Sequence, residues 1–183
     1  MNPHPAQVPS RAPLRDATIE EQTAALAAPL AREPGEQLSL LCFRCAGERF
    51  AVPAEEVQRV FESLPVRRVP HRGRPAFRGL VAHEGEILLV GSLERLLDLA
   101  PVTPPPSPGA RMIVIGPDHH GWAFQADAVD GVVRLPEAAL APAPATLRRG
   151  LGTATRLLAR IDDAQAAVLH VDALLSGWEG AAA

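Results

Sequence analysis

Residues 77–98, FRGLVAHEGEILLVGSLERLLD, read as strand, turn, strand and helix in one short run. Phe77 to His83 is an apolar strand and Glu86 to Gly91 a second. Glu84-Gly85 joins them, and glycine supplies the positive φ that a two-residue hairpin needs. Ser92 then offers its hydroxyl as an N-cap with Arg95 at the third helical position, and Leu93, Leu96 and Leu97 recur at helical spacing. Connections this short leave little room for a catalytic loop. The unit is a packing scaffold.

Working outward, a chain of 183 residues with 47% hydrophobic and 21% charged residues holds one ordinary domain or two small intertwined halves. A net charge of −3 gives no general attraction to nucleic acid or membrane. No apolar run approaches the roughly 18 residues of a membrane span, and the N-terminus lacks the layout of a signal peptide, so the cytoplasm is the expected compartment. All 18 basic residues are arginine. The absence of lysine excludes phosphate-loop NTPases, Schiff-base enzymes and response-regulator receivers, each of which needs one.

Residues 1–36 are rich in Pro, Ala and Arg and read as a flexible tail. Within it Thr18 and Glu21 form a capping box ahead of Ile19, Leu26 and Leu30, predicting a short helix over 18–28. The domain proper is expected over 37–178: a first half at 37–99, a stiff proline-rich linker at 100–109 and a second half at 110–178, with 179–183 disordered. Strands are predicted at Leu38–Ala46 and Glu48–Val52. Leu41, Phe43 and Cys45 share one face of the first, so Cys42 and Cys45 point apart and form neither a metal site nor a disulfide. Pro53 to Phe61 is predicted as a short helix with Glu55 and Glu56 in its first turn and Val57, Val60 and Phe61 as its apolar face.

The second half repeats the first in outline. Strands are predicted at Arg111–Gly116, Trp122–Ala126 and Val129–Leu135, with two more inside Gly150–Ile161 and Ala166–Val171; the prolines of 136–144 fall where the family resemblance described below implies a loop. Asp172 is expected to cap a last helix carrying Leu174 and Leu175. His119-His120 sits in a polar turn and lacks a third metal ligand. His71, His83, Ser92, Cys42 and Cys45 have no partners at a spacing that predicts catalysis. The cluster Arg67, Arg68, Arg72, Arg74 and Arg78 permits an alternative, a divergent barrel binding protein or nucleic acid through Arg67–Arg78. Phe77 is its only aromatic for base stacking.

Gly79-Leu80-Val81, then Gly85, then Ile87-Leu88-Leu89-Val90 and Leu93 resemble the central signature of CheW-like domains, the coupling proteins of bacterial chemosensory arrays. Phe43…Gly47…Phe50-Ala51-Val52…Val57…Val60 is similar to the family's opening order. Phe124…Ala126-Asp127-Ala128-Val129…Val132 resembles its second signature, and Val168 to Leu175 its closing strand and helix. The resemblance implies a mainly β fold of two intertwined small β-barrels, SH3-like and of about five strands each, with short helices. It implies a non-catalytic cytoplasmic adaptor without a cofactor, sited at the inner-membrane receptor array but not inserted in the membrane. Its partners would be the cytoplasmic tip of a methyl-accepting chemoreceptor and the regulatory domain of a CheA-type histidine kinase, not nucleic acid. The receptor-binding groove maps onto Val57, Arg59, Val60, Gly79, Leu80, Glu84 and Gly85, and the kinase surface onto Val129, Gly131 and Val132. The run from Val69 to Leu93 also resembles auxiliary couplers of Wsp-type surface-sensing pathways.

Two positions depart from the family pattern. Glu84 stands where family members carry the arginine associated with receptor docking, and Arg59 where they carry an acid. The opposite reversals leave two readings, an Arg59–Glu84 ion pair preserved with its partners exchanged, which fits an altered docking partner, or decay of the receptor contact. Exposed, such a pair would be worth only about 0–1 kcal/mol and would bear on recognition more than on stability.

Overall fold

The computed structural model describes residues 37–70, 75–100, 108–117, 121–144 and 154–182. The expected helix over 18–28, residues 71–74 of the arginine cluster, the proline run at 101–107 and the His119-His120 pair lie outside them. Among the described residues are eleven strands: β1 (Gln37–Cys45), β2 (Glu48–Pro53), β3 (Val57–Glu62), β4 (Phe77–His83), β5 (Glu86–Gly91), β6 (Arg111–Ile115), β7 (Trp122–Ala126), β8 (Ala128–Pro136), β9 (Leu140–Pro142), β10 (Thr155–Ile161) and β11 (Ala164–Leu169). Helices α1 (Leu93–Leu96) and α2 (Val171–Ala182) follow β5 and β11. The strands form a six-stranded sheet, β8-β1-β2-β11-β10-β9, and a five-stranded one, β3-β6-β7-β5-β4. The mainly β architecture expected from the sequence is the one observed.

One plan is used twice, with exchange. The β1–β2 hairpin joins β8 on one side and lies parallel to β11 on the other, with Ala167 opposite Phe50. The β6–β7 hairpin joins β3 and lies parallel to β5 in the same way, with Leu89 opposite Trp122. β4 pairs with β5 as β10 pairs with β11, register for register: Ala82 faces Ile87 as Arg160 faces Gln165. Each half of the sequence therefore supplies a hairpin to the other half's sheet, and the halves are intertwined.

Three apolar clusters result, because each sheet buries residues on both of its faces. Val81, Leu88, Val90, Met112, Val114 and Ala123 fill the inside of the five-stranded sheet. Leu40, Cys42, Ala51, Ala159, Ile161, Ala166 and Val168 fill the inside of the six-stranded one. The largest cluster lies between the sheets, where Leu41, Phe43, Phe50, Val52, Ile113, Ile115, Trp122 and Phe124 meet Leu174 and Trp178 of α2. Trp178 is fully buried, stacks on Trp122, and donates its indole N–H to the Ser92 carbonyl at 3.3 Å. A Cβ on Gly91 would fall 2.3 Å from the Trp178 ring, so the glycine makes room for the indole.

The hairpin and N-cap expectations are met: Glu84 and Gly85 both take positive φ, and the Ser92 hydroxyl accepts the Arg95 amide N–H at 3.3 Å. Four expectations are corrected. The helix from Pro53 to Phe61 is a single 3₁₀ turn, Ala54–Glu56, after which β3 runs antiparallel to β6. β-branched Val57 and Val60 suit a strand that has an apolar partner beside it. The loop at 136–144 holds a 3₁₀ turn, Glu137–Ala139, and the short edge strand β9, where Pro142 is tolerated as an edge residue. Asp172 lies in the first turn of α2 rather than at its cap, still favoured there by the helix dipole. Finally, α2 continues through 179–182, where the sequence predicts disorder; alanine is the best helix former.

Candidate functional site

Residues three apart in a regular strand face opposite sides. Val57 and Val60 nevertheless share a face, because a bulge separates them: Val57 pairs with Ile115, Arg59 with Val114 and Val60 with Ile113, leaving Gln58 unpaired in the ladder. The Gln58 amide donates to the carbonyls of Gly116 (2.8 Å) and Pro117 (2.7 Å), which holds the bulge shut. The same device recurs in β8. Val129 pairs with Phe43, Gly131 with Cys42 and Val132 with Leu41, with Asp130 as the extra residue. Asp130 accepts a hydrogen bond from Arg44 Nε at 3.3 Å and is ion-paired with Arg49 at 3.5 Å. The residues expected to form two different sites, Val57-Arg59-Val60 and Val129-Gly131-Val132, thus occupy equivalent positions in the two repeats.

Both valine pairs face the shared core and surface at its rim. The exposed large hydrophobics among the described residues are Val60 (38%), Ile87 (73%), Leu89 (38%) and Val132 (58%). Val60 is the neighbour of Ile113, Leu89 of Trp122 and Val132 of Leu41, all three partners being buried in the central cluster. One row runs across the five-stranded sheet, Leu80–Leu89–Trp122–Ile115–Val57, so two expected groove residues stand at its two ends. Apolar side chains that continue a core outward are what a protein-binding surface presents.

β3 and β4 are opposite edges of their sheet, yet side chains bring those edges together. Arg59 pairs with Glu86 and lies 4.0 Å from Glu84. Phe61 stacks on His83 with ring centroids 3.7 Å apart and planes within 6°. The expected Arg59–Glu84 pair is present, but Glu86 is the nearer acid. Glu86 alternates with Leu88 and Val90, whose side chains point inside the barrel, and Arg59 lies beside inward-facing Val114; Glu84 projects from the turn. Downstream of β3, Arg67 exchanges backbone hydrogen bonds with Leu80, at 2.8 and 2.9 Å. Gly79, φ +138°, sits under this bridge, where a Cβ would come within 2.1 Å of the Arg67 carbonyl oxygen. Sequence reasoning missed Gln58, Glu86, Ile87 and Leu89; the signal for the last two was an apolar run, Ile87 to Val90, with both faces of the strand apolar.

Cys42 and Cys45 are buried free thiols facing different clusters. Burial raises the pKa of both above the usual thiol range, which keeps them unreactive. Among the described residues no group of three or more His, Cys, Asp or Glu is placed to hold a metal ion, and no helix is long and apolar enough to cross a membrane.

A pair of small intertwined barrels, with a shared core that surfaces at bulged edge strands, defines a β-rich module. The CheW-like domain model matches residues 39–178, and the chain belongs to that family. Its fold is similar to the crystal structure of the scaffolding protein TtCheW from Thermoanaerobacter tengcongensis, with a TM-score of 0.64 and 19% identity over 74% of this chain and 90% of that one. No curated protein matches the chain.

Proposed function

We propose that this protein is a non-catalytic adaptor that couples a methyl-accepting chemoreceptor to the regulatory domain of a CheA-type histidine kinase, in a chemotaxis or Wsp-like complex at the cytoplasmic face of the inner membrane. The observation that carries the reading is the surfacing of the shared core at Val60, Leu89 and Val132 in a chain of the CheW-like family. In this reading the receptor lies along Val57, Arg59, Val60, Gly79, Leu80, Glu84 and Gly85, and the kinase along Val129, Gly131 and Val132. Equivalent bulged strands then serve two partners, one on each barrel.

The test is calorimetric titration of the full chain with a kinase regulatory domain and with a receptor-tip fragment from the same organism. Micromolar or tighter binding of each at one-to-one stoichiometry is expected. Val60→Glu is expected to cost the receptor fragment at least about tenfold and to spare the kinase, with Val132→Glu doing the reverse, since burying an unpaired carboxylate in an apolar contact costs more than about 1.4 kcal/mol. Absence of binding to both partners defeats the adaptor reading.

A further inference from the structure

We propose that Gln58 is a positioning residue for the receptor face: its amide clamps the β3 bulge to the β6–β7 turn and so fixes the register that turns Val57 and Val60 to the same side. The inference deepens the receptor side of the proposed function and rests on that reading for the partner.

Side chains alternate along a strand, so in an unbroken ladder Val57 and Val60 fall on opposite faces. Counted from Val57 opposite Ile115, such a ladder sets Arg59 opposite Ile113 and Val60 opposite Met112. Val60 then enters the barrel, where Met112 lies buried, and Arg59 leaves it. Counted from Val60 opposite Ile113, it is Val57 that turns over. The two valines share a face only while the bulge persists.

The clamp comes from a single turn. Half-buried Gln58 donates its amide N–H groups to the Gly116 carbonyl at 2.8 Å and the Pro117 carbonyl at 2.7 Å. The Gly116 N–H donates to the Glu56 carbonyl at 3.3 Å, so Gly116 is tied to the chain on both sides of Val57. A Cβ on Gly121 would fall 2.8 Å from Gln58 Nε2, so that glycine keeps the space the amide fills. Leu175 of α2 stands 3.2 Å from where a Cβ on Gly116 would be and backs the turn.

The equivalent bulge of the second repeat is an internal control, because it is held differently. There partly exposed Asp130 is paired with Arg44 and Arg49, a contact that salt weakens, whereas a neutral amide on backbone carbonyls is indifferent to salt. The two bulges are held by separate groups, so loss of the Gln58 clamp acts on the first barrel and leaves Val129-Gly131-Val132 in place.

The experiment compares two variants of the isotope-labelled full chain. Gln58→Glu keeps the shape, removes both donors and sets a carboxylate against two carbonyls; Gln58→Met keeps the length with neither donor nor charge. Cross-strand nuclear Overhauser contacts report Val57 opposite Ile115 and Val60 opposite Ile113. Both contacts are expected in the unmodified protein, and one of the two is expected to vanish in each variant at pH 7. Receptor-tip affinity is expected to fall at least about tenfold in both, the scale of one lost apolar side chain. Kinase affinity is expected to stay within about twofold, as for independent sites. Acidification is expected to restore the lost contact in Gln58→Glu, since a protonated carboxyl donates one O–H, and to leave Gln58→Met unchanged. Persistence of both contacts in the variants, or no difference between them on acidification, overturns the proposal. Unfolding of both variants, or equal losses of receptor and kinase binding, makes Gln58 a general stability residue and overturns it too. If the contacts change as expected while the unmodified protein binds no receptor tip, the clamp stands and the receptor reading falls. If the receptor tip binds equally well to variants that have lost a contact, the positioning role falls and the adaptor stands.

Discussion

The two repeats share one ladder and differ in what they place on it. At the position where the first repeat has Arg59 beside Val114, the second has Gly131 beside Cys42. One guanidinium serves Glu84 and Glu86 on the first barrel, and one carboxylate serves Arg44 and Arg49 on the second. The helices differ as well, since α1 ends after a turn and α2 sends Trp178 into the shared core. The common scaffold is fixed by apolar pairs that recur in both repeats. The differences fall on groups at the surface or between the barrels, where geometry leaves a choice and recognition can use it.

Removing the largest asymmetry should have the largest effect. Trp178→Ala is expected to destabilise the domain by about 3–5 kcal/mol, the usual cost of deleting a buried large aromatic, as measured by urea unfolding. A loss under about 1 kcal/mol would mean that α2 is a passive appendage.

The glycines rank next. Gly79→Ala must break or bend the Arg67–Leu80 bridge and is expected to cost about 3 kcal/mol, whereas Gly131, φ +116°, has nothing within 4 Å of where a Cβ would stand and should lose only about 1 kcal/mol through its backbone conformation. Similar losses for the two would show that steric contact at Gly79 is not what distinguishes them.

A smaller effect depends on pH. Burial, followed by nearby Asp172 and Glu55, raises the Glu56 carboxyl above its ordinary value. The folded state then holds this proton more tightly than the unfolded one, so stability from this group is full below the ordinary carboxylate range and is lost as pH rises through the raised value. Glu56→Gln is expected to raise stability at pH 7 by less than about 1 kcal/mol and to match the wild type near pH 4, as read from Tm at each pH. A gap that widens on acidification would reverse the sign and refute the assignment.

The smallest effect belongs to the exposed ion pairs. Glu86→Gln and Asp130→Asn are each expected to cost about 0–1 kcal/mol, less in high salt, by denaturation at two ionic strengths.

Much of this was legible in the sequence, for reasons that also explain the failures. The β4–β5 hairpin was readable because Glu84-Gly85, the flanking apolar runs and the Ser92 cap all point the same way. The bulge at Gln58 places Val57 and Val60 of β3 on one face at a spacing of three, which mimics a helix; Val129 and Val132 have the identical spacing, there with Val133 directly following. β9 was hidden by the prolines around it. The nearer partner of Arg59 was missed because strand parity, not closeness to the turn, decides that Glu86 faces the barrel mouth. Ile87 and Leu89 stood in plain view as strand residues, but only the three-dimensional comparison with Gln165 and Ala167 shows Ile87 to be surplus to the barrel.

The exchange of hairpins has a consequence for how the protein is made. As the chain leaves the ribosome, β1 and β2 emerge ahead of the rest of their sheet and have only each other until β8 and β11 follow. The five-stranded barrel has its strands once β7 has emerged, so the two barrels mature in the reverse order of their first strands. Such distant pairings slow folding and leave the early hairpin exposed in the meantime. A nascent chain halted after the first repeat would hold a hairpin awaiting its sheet and a sheet awaiting its hairpin.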